Sequence, residues 1–261
     1  MRPLLTLTPF DAAHALVTSP FFSPPILAAV RLAFAAYALV TLVVSIVWGA
    51  VVQHDAAGFF SYFTHLTYTG LCAYFFAAGV QTALFARRGK GYPLQGWPRA
   101  LRFLHLALLA TVTVFPLLVS VVFWGVLADK DTFATRYDAW SAISVHLLNS
   151  VFALFEIALT NTPAPAWVLL PVTLLVLGGY VGVVYVTHAT QGFYAYSFMA
   201  PNSRLALHMA GVALAQVVLY VVVWCLVSLR VWLVRRYMTR PRGIEAGPGS
   251  ETSLGNLKEA V

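Results

Sequence analysis

Thr64 and His146 carry the hydroxyl and the imidazole of this sequence that are best placed for catalysis. They occur in FFSYFTHLTYTG (residues 59–70) and WSAISVHLLNS (residues 140–150), each of which opens an apolar segment of membrane-spanning length. At about 1.5 Å per residue, Thr64 is expected roughly 7–8 Å and His146 roughly 9 Å inside its helix. Such groups are costly in a bilayer unless they are used or paired. An imidazole near a hydroxyl is the minimum for general-base-assisted nucleophilic attack.

The composition indicates a membrane protein. Of the 261 residues, 60% are apolar and 10% are charged, whereas soluble domains carry about 25% charge. The formal net charge is +7, but the basic residues concentrate in segments 86–102 and 230–242, as expected for the cytosolic side of a membrane. We therefore expect no nucleic-acid partner. Cys72 and Cys225 both lie in apolar segments, which argues against a disulfide framework.

Six apolar segments are long enough to cross about 30 Å of hydrocarbon. They lie near residues 26–52, 59–85, 101–128, 140–160, 166–187 and 205–234. An even number of spans places both termini and both basic clusters on the cytosolic side. The sequence therefore predicts an all-α polytopic membrane protein with six transmembrane helices and both termini cytosolic. Its parts are an N-terminal cytosolic segment (1–25), a six-helix transmembrane domain (26–240) and a disordered cytosolic tail (241–261).

Most polar side chains of the predicted helices lie toward the non-cytosolic face. Besides Thr64 and His146, this half of the bilayer is expected to hold His65, Tyr68, Asn149, His188, Arg204 and His208. The fourth helix carries His146, Asn149 and Glu156 along one face, which predicts a central position in the bundle. Glu156 and His105 fall toward the cytosolic half, where they could pair with each other.

These residues alone leave several functions open. A catalytic Thr/His pair, structural hydrogen bonding between helices and a metal site all fit the pattern. A zinc hydrolase would use His146, His188 and His208 with a water molecule, and a haem would use two of these histidines. A non-catalytic scaffold or channel is a third class, although no charged ring or repeated pore-lining pattern indicates a channel.

At these positions the chain resembles the androgen-induced-protein family of six-span membrane proteins, which includes hydrolases of fatty acid esters of hydroxy fatty acids. The family's reactive threonine, in the aromatic-rich start of its second helix, matches Thr64 in FFSYFTHL. Its reactive histidine and a glutamate ten residues later match His146 and Glu156 in VHLLNSVFALFEI. The resemblance covers about residues 59–200. Its other landmarks are Phe115, Pro116, Phe123, Trp124, Asp129, His188, Thr190, Gly192, Phe193 and Tyr196.

The resemblance implies an integral membrane threonine hydrolase that acts on lipid esters, with Thr64 as nucleophile, His146 as general base and no metal or cofactor. The lipid substrate would enter from the bilayer. Its carboxylate would be received near the interface by His188, Arg204 or His208. The candidates for the oxyanion hole, by residue type alone, are His65, Tyr68 and Asn149. The expected location is the endoplasmic reticulum or another endomembrane, with the plasma membrane as the alternative.

Overall fold

The computed structural model describes residues 10–238, and every regular element in that range is helical. Six of its helices are long and apolar enough to cross a membrane. They are α1 (Pro24–Gln53), α2 (Phe63–Arg88), α3 (Arg99–Leu127), α4 (Arg136–Leu159), α5 (Leu169–Gln191) and α6 (Leu205–Tyr237). The prediction of an all-α polytopic membrane protein with six transmembrane helices is therefore confirmed. The tail predicted to be disordered, 241–261, lies outside the described residues.

Local sequence sets where these helices begin and end. Pro24 and Pro25 occupy the first turn of α1, where a backbone N–H would lack a helical partner anyway. α2 ends at Gly89 and α5 at Gly192, with left-handed φ values of 67° and 80° that glycine adopts without strain. Arg87, in the last turn of α2, adds a favourable interaction with the negative end of the helix dipole.

Successive helices run antiparallel, so the connections alternate between two ends of the bundle. Hydrogen bonds join Thr18 to Asn161 at one end and Ser61 to Thr187 at the other. The first, which we call the basic end, carries Arg87, Arg88, Arg235 and Arg236. The second, the acidic end, carries Asp55, Asp129, Asp131 and Asp138.

α3 and α4 form the enclosed centre of the bundle, as the polar face of α4 predicted. In the most apolar part of each helix, 56% of α3 and 50% of α4 are buried, against 22% for α5 and for α6. α1 and α2 approach closely through Ala35, Ala38, Ala78 and Gly79, whose missing side chain leaves room for Leu32. The outer faces of α1, α5 and α6 expose large apolar side chains, as a lipid-facing surface requires.

A buried ion pair anchors α4 at the basic end. Arg31 of α1 donates from Nε to Oε1 of Glu156 at 2.7 Å and from Nη2 to Oε2 at 2.9 Å. Its Nη1 donates to the Leu16 carbonyl at 2.9 Å and to the Thr82 hydroxyl at 2.7 Å. Both charged side chains are 0% exposed. The pairing of Glu156 with His105 is therefore wrong, because a guanidinium offers a permanent charge and two parallel donors to the carboxylate.

Arg230 of α6 holds the same end of α4 through its backbone. The guanidinium donates to the carbonyls of Thr160 and Thr162, just beyond the last residue of α4. A cation in this position also complements the negative end of the helix dipole. Because Arg31 and Arg230 both attach to α4, the rotation of this helix about its axis is fixed, and with it the face on which His146 lies.

Candidate active site

α2 begins later than the hydropathy pattern predicts. Phe59–Ser61 forms a short 3₁₀ turn, and the helix itself begins at Phe63. Thr64 is therefore in the first turn of α2 rather than two turns inside it. α4 begins earlier than predicted, at Arg136, which places His146 about 15 Å from its start at about 1.5 Å per residue. The predicted depths were wrong for two reasons. The apolar, aromatic 3₁₀ turn before α2 has the hydropathy of a helix, and the polar first turn of α4 has the hydropathy of a loop.

The structure nevertheless brings Thr64 and His146 together. Oγ1 of Thr64 lies 3.3 Å from Nε2 of His146. Thr64 is 7% exposed, and His146 is partly buried. A hydroxyl and an imidazole nitrogen at this distance meet the geometric requirement for transfer of the hydroxyl proton.

α4 is locally widened at His146. Ser144–Leu148 forms a π turn, an arrangement that disturbs the regular backbone ladder and is frequent at functional sites. The carbonyl of His146 accepts hydrogen bonds from Ser120 Oγ at 2.5 Å and from Trp124 Nε1 at 3.1 Å. Both donors belong to α3. The central helix therefore holds the backbone of His146 in position.

α3 also holds the ring of His146. Phe123 stacks on the imidazole, with ring centroids 3.5 Å apart and planes inclined by 6°. Phe123 itself begins a second π turn, Phe123–Leu127. With one face stacked and one edge against Thr64, the ring is oriented as a base requires, because its lone pair must point at a single hydroxyl.

The surroundings of Nδ1, the second imidazole nitrogen of His146, indicate which tautomer the ring adopts. Nδ1 of His146 is buried and makes no hydrogen bond of good geometry to any residue of the range 10–238. The carbonyl of Ala142, one turn earlier, interacts with the ring. Nε2 can accept the proton of Thr64 only if Nδ1 carries the hydrogen of the neutral ring. A nearby carbonyl, which can only accept, favours that tautomer.

The first turn of α2 offers hydrogen-bond donors beside Thr64. The N–H groups of His65 and Leu66 donate to the Tyr62 carbonyl at 3.1 and 3.2 Å, so the remaining donors of this turn are the N–H groups of Phe63 and Thr64, at the positive end of the helix dipole. The hydroxyl of Tyr196, from the connection between α5 and α6, interacts with the Thr64 hydroxyl and with the backbones of Phe63 and Thr64. Burial raises the pKa of Tyr196, so its hydroxyl keeps its proton at neutral pH and is able to donate a hydrogen bond. These groups are the candidate donors for an oxyanion formed at Thr64.

Thr64 and His146 lie between two cavities. An apolar cavity of about 160 Å³ is enclosed by α2, α3, α5 and α6 and is lined by Thr64 and Tyr196. A polar cavity of about 440 Å³ lies at the acidic end and is lined by His146 and His65. Thr64 therefore borders a space suited to hydrocarbon, and His146 borders a space suited to water and polar groups.

His65 has a defined orientation next to this pair. Its Nδ1 lies 2.7 Å from the Phe59 carbonyl, and its ring stacks on that of Phe59 with centroids 3.9 Å apart. Because a carbonyl can only accept, Nδ1 carries the hydrogen and Nε2 is left as an acceptor. His65 is thus suited to orienting a water or a polar ligand in the polar cavity rather than to donating into an oxyanion hole.

The other two oxyanion candidates lie away from the cavities. Oδ1 of Asn149 accepts a hydrogen bond from the N–H of Ser150 at 2.6 Å and lies 3.3 Å from Ser120 Oγ. Tyr68 is 1% exposed, and its hydroxyl has no hydrogen-bond partner in the part of the chain that the structure describes. Neither residue lines either cavity. Sequence reasoning missed Tyr196 as a donor, since no local pattern shows that its loop folds over the start of α2.

The three residues expected to receive a carboxylate are spread over the acidic end. His188 is exposed and stacks on Tyr194 with ring centroids 4.0 Å apart. Arg204 is exposed at the start of α6, and His208 lies one turn later, 6.0 Å from the ring of Phe198. None of the three lines either cavity.

The histidines are not gathered into a metal site. Between residues 10 and 238, no three His, Cys, Asp or Glu side chains are grouped so that they could hold a metal ion. His146 contacts Thr64, whereas His188 stacks on Tyr194. The alternative of a zinc site built from His146, His188 and His208 therefore finds no ligand set in these residues.

No model of a protein family, no curated protein and no solved structure matches this sequence. The resemblance to the androgen-induced-protein family therefore stays a prediction from the sequence. The contact between Thr64 and His146 lies within the residues that carry that resemblance, and its geometry is independent of it.

Proposed function

We propose that this membrane protein hydrolyses lipid esters, with Thr64 as the nucleophile and His146 as its general base. The proposal depends on one observation, the 3.3 Å contact between Thr64 Oγ1 and His146 Nε2, located between an apolar and a polar cavity. A threonine hydroxyl is a poor nucleophile unless its proton is removed as it attacks. The imidazole supplies that acceptor.

In the first step, Oγ1 of Thr64 forms a bond to the ester carbonyl carbon while Nε2 of His146 takes the hydroxyl proton. The negative charge that develops on the carbonyl oxygen is stabilised by the O–H of Tyr196 and by the N–H groups of Phe63 and Thr64. The bond to the alcohol oxygen then breaks, and the alkoxide takes the proton from His146. The products are an acyl ester of Thr64 and a free alcohol.

In the second step, water attacks the acyl ester while His146 takes one of its protons. His146 then returns this proton to Oγ1 of Thr64 as the carboxylic acid leaves. The polar cavity, lined by His146 and His65, is the route for water. The acceptor Nε2 of His65 orients that water, since its Nδ1 is committed to the Phe59 carbonyl.

The apolar cavity supports a lipid substrate. Aliphatic side chains from α3 and α5, such as Leu118, Leu177 and Val181, line it, so its favourable occupant is the hydrocarbon next to the ester carbonyl. α5 and α6 are the helices least buried within the bundle, so a lipid that arrives from the bilayer meets this side of the site. Fatty acid esters of hydroxy fatty acids, in an endomembrane, are the substrate and location that the resemblance adds to the proposal.

Fluorophosphonate labelling of the purified protein tests the catalytic pair. We expect labelling of the wild type and of Thr64→Ser, and none of Thr64→Ala or His146→Ala. Thr69→Ala is the matched control, because Thr69 lies on the same helix, is exposed and donates only to the His65 carbonyl. It should label like the wild type.

Two results would contradict the proposal. Full labelling of a folded Thr64→Ala variant, with an unchanged size-exclusion profile, would exclude Thr64 as the nucleophile. Loss of labelling in Thr64→Ala but not in His146→Ala would exclude His146 as its base. Turnover of branched fatty acid esters by protein in lipid nanodiscs then tests the substrate class separately.

A further inference from the structure

The polar cavity carries a charge that the proposed hydrolysis does not use. It is lined by four aspartates, Asp55, Asp129, Asp131 and Asp138. None of them forms an ion pair with another residue of the described range. Lys130 lies in the connection between α3 and α4, and Arg136 is the first residue of α4, but neither lines the cavity. An occupant of this cavity therefore meets a net negative charge.

Hydrogen bonds leave this charge in place. Oδ1 of Asp129 accepts from the N–H of Asp131 at 2.9 Å and from the hydroxyl of Thr132 at 3.3 Å. These neutral donors stabilise a carboxylate without neutralising it. The pKa of Tyr62, another lining residue, is raised first by burial and then by the charge of Asp55, so the field of that carboxylate reaches the cavity wall.

Aromatic rings and an unpartnered hydroxyl line the same cavity. The rings are those of Phe59, Tyr62, Phe123 and Tyr137. A cation over an aromatic face is attracted by the ring quadrupole. Ser45, which also lines the cavity, is 6% exposed, and its hydroxyl has no hydrogen-bond partner among residues 10–238. A buried hydroxyl without a protein partner, beside about 440 Å³ of space, indicates a polar occupant.

We infer that this cavity binds the cationic head group of a lipid, a quaternary or protonated ammonium. The carboxylates supply the opposite charge, and the rings supply cation–π contacts. The assignment to a substrate rests on the proposed function. His146 lines this cavity and protonates the leaving alkoxide, so the ammonium belongs to the alcohol part of the ester. The substrates are then long-chain acyl esters of amino alcohols.

The same arrangement disfavours an ester whose alcohol part carries a carboxylate close to the ester bond, as in a glycolate ester. Such a group would bring a further negative charge to a cavity already lined by four carboxylates. The basic residues that the sequence offered as its partners, His188, Arg204 and His208, line neither cavity.

Two probes that cannot be hydrolysed test the cation site directly. One is the hexadecyl ether of choline, and the other is its neutral analogue with a tert-butyl group in place of trimethylammonium. Binding is measured with full-length protein in nanodiscs of neutral lipid, after subtraction of empty nanodiscs. We expect the choline ether to bind at least about tenfold more tightly at low salt, with a preference that shrinks as salt is added. Equal affinities at low salt would overturn the inference.

Substitutions test whether the preference for the choline ether arises in the polar cavity. Asp129→Asn combined with Asp138→Asn should reduce it to about threefold or less, because two of the four charges are lost. Arg136→Gln is the matched control, since Arg136 lies in the same first turn of α4 as Asp138 but outside the cavity. This change should leave the preference unchanged or raise it. A tenfold preference that survives in the folded double variant would contradict the assignment to this cavity.

A hydrolysis experiment separates this inference from the proposed function. Palmitoyl esters of choline, of its tert-butyl analogue and of glycolate are compared with wild type and Thr64→Ala. Fastest turnover of the choline ester by wild type alone supports both proposals. Preferential binding of the choline ether without turnover of any ester supports the cation site and contradicts the hydrolase. Equal turnover of all three esters, with equal probe affinities, supports the hydrolase and overturns the cation site.

Discussion

Glu156→Gln is expected to destabilise the fold without changing the chemistry of the site. The substitution keeps the size of the side chain but leaves Arg31 charged, with 0% of its side chain exposed. Removing one partner of a buried ion pair costs about 3–5 kcal/mol, because the remaining charge is desolvated and uncompensated. Since folded domains are stable by only about 5–15 kcal/mol, this loss is a large fraction of the total.

Two other variants set the scale for this effect. Thr82→Val removes one neutral partner of Arg31, a hydroxyl at 2.7 Å, and is expected to cost about 1.5–3 kcal/mol. Arg31→Met combined with Glu156→Met removes both charges and is expected to recover most of the stability that either single change loses. The expected order of stability is therefore wild type, the double variant, Thr82→Val and finally Glu156→Gln.

Thermal unfolding in detergent, followed by tryptophan fluorescence, measures this order. Fluorophosphonate labelling of the folded fraction at low temperature measures the site independently. Wild-type stability of Glu156→Gln, or a double variant as unstable as Glu156→Gln, would refute the electrostatic reasoning. Loss of labelling in a stably folded Glu156→Gln would instead make Glu156 part of the chemistry.

Substitutions at three positions test the site itself. Tyr196→Phe should lower kcat about 100-fold at nearly unchanged KM, the effect of removing one oxyanion donor; an unchanged kcat in a steady-state ester assay would remove Tyr196 from the mechanism. Ser120→Ala removes the shorter of the two hydrogen bonds to the His146 carbonyl and should lower kcat about three- to tenfold. Unaltered turnover would contradict the role of Ser120 in holding the His146 backbone. Thr64→Ser should keep a measurable rate of labelling and Thr64→Val none; equal loss in both would mean that more than the hydroxyl is required.

The six spans were predictable because hydrophobic length is a property of each segment taken alone. The pairing of Thr64 with His146 was predictable only in part, because the second and fourth helices both start at the same end of the bundle. Their depths were not predictable, since Thr64 lies in the first turn of α2 whereas His146 lies about 15 Å from the start of α4, at about 1.5 Å per residue. The start of α2 was not predictable, because the aromatic-rich residues 59–62 are as apolar as the helix that follows. Hydropathy does not distinguish a 3₁₀ turn from the first turn of a helix.

Groups that act through tertiary contacts escaped sequence reasoning. Arg31 is a single arginine in an apolar segment, and nothing in the local sequence indicates that its partner is Glu156, more than a hundred residues later. Tyr196 lies in a connection whose path depends on the packing of α5 and α6. The π turn at His146 leaves no mark in composition, because it changes only which backbone groups bond to each other.

That π turn, Ser144–Leu148, divides α4 into two halves with separate helical registers. The half toward the basic end is fixed through Glu156, while the half toward the acidic end presents Asp138 to the polar cavity. A regular helix turns by about 100° per residue, so deletion of one residue within the turn would rotate one half against the other by about that angle. Deletion of one residue from the π turn therefore changes which side chains of α4 line the polar cavity. The half of α4 that Glu156 anchors stays in place.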